Sequence, residues 1–152
     1  MFKYLSAFLL FAILSCKEEK FNRTRARAFI LQIQRQERQA HFTRDIKLFM
    51  SGFKDTSWMV NNGTVELFVK EKDYVSFANY FDAVEFIKWD DMQQPLISFS
   101  DDGSLAYAIV QKAVITKQKT SGRMDTMHYA WTSIYRRTAE QWLLECNIST
   151  NQ

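Results

Sequence analysis

HYAWTSIYRRTAEQWLLECNIST, residues 128–150, reads as two strands joined by a short polar turn. Tyr129, Trp131 and Tyr135 fall on alternate places, with His128, Ala130, Thr132 and Ile134 between them. A period of two belongs to a strand with two different faces. After a break over residues 136–141, Trp142, Leu144, Cys146 and Ile148 take one face of a second strand, and Leu143, Glu145, Asn147 and Ser149 take the other. A hairpin this aromatic needs a partner layer, and the upstream chain is expected to provide it.

The same period extends back to Pro95. Residues 96–99 form a strand, Ser100-Asp101-Asp102-Gly103-Ser104 a turn, and residues 105–117 a long strand. Tyr107, Ile109, Gln111, Ala113 and Ile115 share one of its faces, while Lys112 sits among Ala106, Ala108, Val110 and Val114 on the other. Asp-Asp-Gly suits a tight turn with a positive-φ position. A calcium loop would need several more oxygen ligands at regular spacing, so the turn reading is preferred.

Upstream of Pro95 the period is mostly helical. Residues 24–53 hold no proline, and Phe42, Ile46, Phe49, Met50 and Phe53 follow Phe29, Ile30 and Ile33 at 3.6-residue spacing. One long amphipathic helix ending near Gly52 is expected. His41 and Asp45 are four apart on it, either as the polar lip of a pocket or as a surface pair between two turns. Trp58 precedes the turn Asn61-Asn62-Gly63, and Asn-Gly before the apolar residues 65–69 signals a hairpin. Residues 70–89 read as one or two short helices carrying Tyr74, Phe77, Phe81, Phe86 and Trp89. Helices followed by strands make an α+β layout, one curved sheet wrapping a long helix.

The first 16 residues carry Lys3, an apolar run from Tyr4 to Leu14, then Ser15 and Cys16. The run is too short to span a bilayer, which takes about 20 residues, and reads as an export signal over residues 1–15. Ile13-Leu14-Ser15-Cys16 resembles the bacterial lipoprotein lipobox, which implies cleavage before Cys16 and a lipid on its thiol; the alternative is an ordinary secretory signal with an incidental cysteine. Residues 16–24 then form a polar linker to a domain over residues 25–152. Lys17-Glu18-Glu19 resembles a Bacteroidetes export signal, implying an outer-membrane address, open to the cell surface. A lipidated Cys16 leaves Cys146 without a disulfide partner, and Cys146 is expected to be a small buried hydrophobe.

Without residues 1–15 the chain keeps 137 residues, with 19 basic and 17 acidic side chains, a formal charge of +2. That suits one domain. So even a balance argues against nucleic acid as the main partner. An aromatic content of 15% suggests a lined cavity or a buried interface. Two histidines and widely spaced cysteines make no zinc set, and neither a Gly-x-Ser-x-Gly elbow nor a phosphate-cradling glycine loop occurs, so no metal or other cofactor is expected.

The order of elements, with His41-Phe42 and Asp45 on the first helix, Trp58, Gly63, Phe81, the turn and strand Ser100–Tyr107, and the closing Trp142 strand, resembles the nuclear transport factor 2-like superfamily, in its SnoaL-like and ketosteroid-isomerase-like branches. The resemblance spans about residues 26–150. It implies a cone-shaped half-barrel with an apolar pocket, often in a homodimer packed sheet to sheet. Some members are isomerases or dehydratases, and others only bind a ligand or a partner domain. The isomerase branch's set of strand base and oxyanion donors has no counterpart that can be placed here.

The pocket candidates are therefore His41, Asp45, Trp58, Tyr107, Lys112, His128 and Trp131, with Trp89 a further wall. His128 is either an acid/base in the cavity or a strand-end packing residue. Lys112 is either an anchor for an acidic ligand or a chain snorkelling at an edge. The aromatic residues are equally suited to core. Three functions are expected in this order: an envelope module binding a small apolar or amphipathic molecule; an interaction module docking another protein through its sheet face, with residues such as Tyr135 exposed; and an isomerase or dehydratase using His128 or His41-Asp45.

Overall fold

The computed structural model describes residues 21–139 and 141–152. The expected export signal, the lipidated Cys16 and most of the linker lie outside the described residues. The chain runs α1 (Arg23–Thr43), α2 (Ile46–Ser51), β1 (Phe53–Asn61), β2 (Thr64–Val69), α3 (Lys70–Ala83), β3 (Val84–Asp91), β4 (Leu96–Phe99), β5 (Leu105–Gln118), β6 (Met124–Arg137) and β7 (Trp142–Asn151). The strands form one curved, unclosed sheet in the order β2-β1-β7-β6-β5-β3, with β4 also paired to β5. The α+β half-barrel is as expected, and all neighbouring strands are antiparallel except β1 and β7, which run parallel.

Three expected elements are redrawn. The single helix over residues 24–53 is two helices, because Arg44 takes a left-handed backbone at φ 55. Asp45 then caps α2, its Oδ1 accepting from the Leu48 N–H at 2.9 Å. Second, the helical reading of residues 70–89 stops at Ala83, and Phe86 and Trp89 belong to β3, whose register shifts between Phe86 and Lys88. An extra residue there lets aromatics three apart both turn inward, which mimics helical spacing.

The third change is in β7. Tyr135 pairs with Leu144, but Ile134 pairs with Cys146, so Glu145 is an extra residue in the ladder. A bulge of this kind reverses which side chains point inward. Trp142 and Leu144 stay inside, Asn147 and Ser149 join them, and Cys146 and Ile148 turn to the outer face, where Ile148 is exposed and Cys146 is only half-buried. Cys146 is thus not the core residue expected.

α1 lies across the concave side. Asn22 caps it by accepting from the Arg25 N–H, and Ala26 and Ile30 pack on Ala106 and Ala108 of β5 and on Tyr135, Trp142 and Leu144. Two alanines at the contact let the helix approach the sheet closely. Next to them, Gly103 turns at φ +65 under Phe21, and a Cβ there would sit 2.3 Å from that ring. The two alternations of β5 and β6 resolve in opposite ways for the candidates. On β5 the inner face is Ala106, Ala108, Val110, Lys112 and Val114, and on β6 it is Trp131, Ser133 and Tyr135.

Candidate functional site

Between α1, α2 and α3 and the concave face of β6 and β7 lies a cavity of about 240 Å³. Its walls are aromatic: Phe49 from α2, Phe53 from β1, Phe77 from α3, Trp89 from β3, and Tyr129 and Trp131 from β6. Its polar groups include two sets besides Ser51 of α2. Ser133, Asn147 and Ser149 lie along the sheet, with Asn147 Nδ2 donating to Ser133 Oγ at 3.0 Å. Glu37 and His41 project from α1, one turn apart.

His41 is buried in a ring of aromatics. It stacks on Trp89 with ring centres 3.7 Å apart and meets Phe86 edge-on at 4.8 Å. Its Nδ1–H donates to the Glu37 carbonyl at 2.7 Å. Burial pulls its pKa down to about 4, with the nearby Lys112 charge also lowering it against the opposing effect of that hydrogen bond. The imidazole is therefore neutral at physiological pH.

Glu37 behaves in the opposite direction. Burial pushes its carboxyl up to about 7, the Lys112 charge pulls it down and Asp91 pushes it up. Tyr135, at the back of the cavity, accepts from Gln34 Nε2 at 2.8 Å, and burial followed by the Glu37 charge holds its phenol well above the ordinary tyrosine range. Lys112, only 1% exposed, sits behind Trp131 with its Nζ 5.8 Å from that ring and pairs with Asp91 at 2.5 Å.

Of the residues singled out from the sequence, His41 and Trp131 line the cavity, and Trp89 does too. Lys112 is inside but outside the cavity wall, already neutralised by Asp91; it neither snorkels nor presents a free ammonium. Asp45 is a helix cap and shares no hydrogen bond with His41. Trp58, Tyr107 and His128 stand on the outer face, where Trp58 is 51% exposed and pairs across the ladder with Leu67, and His128 pairs with Ala113. Tyr135 is buried rather than exposed. The Asp45→Ala variant is expected to lose about 1 kcal/mol, the usual worth of a cap. A urea midpoint showing a loss near 3 kcal/mol would mean Asp45 does more than cap α2.

The sequence does carry a signal for Glu37, which is not among the candidates named above. Ile30, Ile33, Glu37 and His41 follow one another at three- and four-residue steps, which places a carboxylate on the apolar stripe of α1. Asn147 and Ser149 were hidden by the bulge.

Compared by sequence, the chain matches no protein-family model and no curated protein. Its fold is widely shared. A conserved protein from Planctomyces limnophilus superposes with a TM-score of 0.72 at 17% identity, covering 86% of this chain and 98% of that one. A candidate dehydratase of nuclear transport factor 2-like fold from Streptomyces avermitilis gives 0.68 at 13%, with 84% and 97% covered. A ketosteroid isomerase-like protein from Erwinia carotovora gives 0.67 at 15%, with 86% and 98% covered. The chain thus has the nuclear transport factor 2-like fold. A fold shared at this level of identity leaves the function to be argued from the site.

Proposed function

We propose that this protein is a lipid-anchored envelope module that holds one small apolar or amphipathic molecule in the cone. The observation that carries the reading is the cavity itself, about 240 Å³ with aromatic walls and a few convergent polar groups. Anchoring through Cys16, in the outer membrane and open to the cell surface, is part of the same proposal. The described chain begins at Phe21, whose ring packs on Phe99 and lies under Arg137. Cys16 precedes Phe21 by only five positions, so a lipid on its thiol would keep the Phe21 end of the cone next to the bilayer.

The outer face supports a homodimer. Trp58, Leu67, Ile109 and Ile148 are exposed there together, and apolar sheet faces of this kind normally meet a partner. A second copy is the occupant we favour over another envelope protein. An enzymatic reading is kept for one reason: Glu37 faces the cavity with its pKa near neutrality, where a carboxyl can exchange protons. The names of two structural neighbours, a candidate dehydratase and a ketosteroid isomerase-like protein, are consistent with it. A base at His128 or an Asp45-His41 pair is set aside by their positions.

Native mass spectrometry of the protein purified gently from its own cells, before and after organic extraction, tests the main reading. The expected spectrum is a two-copy assembly carrying one small molecule per chain, lost on extraction. An assembly that is empty before extraction would count against ligand holding, and a monomer would count against the dimer.

A further inference from the structure

The Glu37 carboxylate lines the cavity and forms neither an ion pair nor a hydrogen bond among the described residues. Among the described residues it is the one acidic side chain in a wall otherwise made of aromatic, aliphatic and uncharged polar groups. The groups that face it from the surrounding elements are accounted for. His41 on α1 is neutral, Tyr129 and Tyr135 on β6 keep their protons, and Lys112 on β5 and Asp91 on β3 neutralise each other. Ionised Glu37 therefore leaves the cavity with one uncompensated negative charge.

We infer that the ligand of this cavity is a small organic monocation, an amine or quaternary ammonium group on an apolar body, held by Glu37 and the faces of the surrounding aromatic rings. The inference rests on the reading of the cavity as a ligand site. An anion would oppose ionisation of Glu37 and a neutral ligand would leave it protonated, whereas a monocation is the one kind of ligand that the ionised carboxylate attracts, and the two charges together bring the site to zero. Aromatic rings around a carboxylate suit an ammonium group because their faces carry the negative end of the ring quadrupole. Trp131 already holds one ammonium, that of Lys112, at 5.8 Å. The volume of about 240 Å³ admits on the order of ten non-hydrogen atoms, at the roughly 30 Å³ each water occupies in the liquid.

Two probes of one shape separate the possibilities: benzyltrimethylammonium, whose charge is independent of pH, and neopentylbenzene, its uncharged isostere. Binding is read from the fluorescence of the purified protein, since Trp89 and Trp131 line the cavity. With Glu37 titrating near 7, the cation is expected to bind about tenfold more tightly at pH 8 than at pH 6, following the ionised fraction. Glu37→Gln should abolish that pH dependence and weaken the cation at pH 8 by about tenfold or more, while neopentylbenzene, which no longer has to cover an ionised carboxylate, should bind no worse. A cation bound no better than the isostere at pH 8, or indifferent to Glu37→Gln, overturns the inference and leaves the cavity a ligand site. Failure of both probes to bind would overturn the ligand-site reading as well.

Discussion

Replacing Trp142 with alanine is expected to remove about 3 to 5 kcal/mol of folding free energy, at the upper end for a single core substitution. Trp142 is 5% exposed and its ring meets Phe99 at 5.9 Å and Phe21 at 6.4 Å. It belongs to the core that holds the first turns of α1, with Ala26 and Ile30 on the helix and Ala106, Ala108 and Leu144 on the sheet. Ala106 and Ala108, the β5 members of that core, are too short to reach into the space an indole leaves. The cost should therefore include most of the cavity term and not only the lost transfer energy. Urea unfolding of the two proteins measures it, and a loss below about 1 kcal/mol would show that α1 settles into the gap.

Glu37→Gln is expected to stabilise the empty protein by about 3 kcal/mol at pH 8 and by almost nothing at pH 4. The folded carboxyl sits near 7 against an ordinary value of 4.5, and each unit is worth about 1.4 kcal/mol. Because the folded state keeps this proton longer than the unfolded one, stability falls as pH rises from about 4.5 to 7, and the full cost remains above that. His41 has the reverse sign. Its value of about 4 lies below the ordinary 6.5, so the unfolded chain takes up that proton first and stability is lost as pH falls between those limits.

The two windows overlap, and between pH 5 and 6.5 their slopes oppose each other. The unmodified protein should be nearly flat there, and Glu37→Gln should uncover the acid limb that His41 imposes. Thermal midpoints at pH 4, 6 and 8 decide the matter. An equal gain at all three would mean the substitution acts through packing and not through the buried charge.

The same residue links stability to the site. A carboxylate that destabilises the empty fold above neutrality is what a cationic occupant would relieve, so any ligand that stabilises the protein more at pH 8 than at pH 6 fits the inference drawn from the cavity.

Local periodicity alone determined a good deal about this protein. The two-residue alternation of residues 105–117 and 128–135, the Asn62-Gly63 and Asp102-Gly103 turns, and the 3.6-residue stripe of α1 define the elements, and their order defines an α+β sheet wrapping a helix. Such patterns depend only on neighbours along the chain. What they leave undetermined is which of a strand's two faces meets the helix, since Tyr107 and Lys112 are equally well placed by alternation and only the packed layer buries one and exposes the other. Nor do they register a single inserted residue. The extra Glu145 exchanges Cys146 and Ile148 for Asn147 and Ser149 at the cavity, and the left-handed turn at Arg44 converts Asp45 from a pocket residue into a cap. The pairing of Lys112 with Asp91, and the isolation of Glu37 that follows from it, required strands 21 residues apart to be brought side by side. Electrostatics of that kind belong to the tertiary structure, because a charge is compensated or left alone by its neighbours in space.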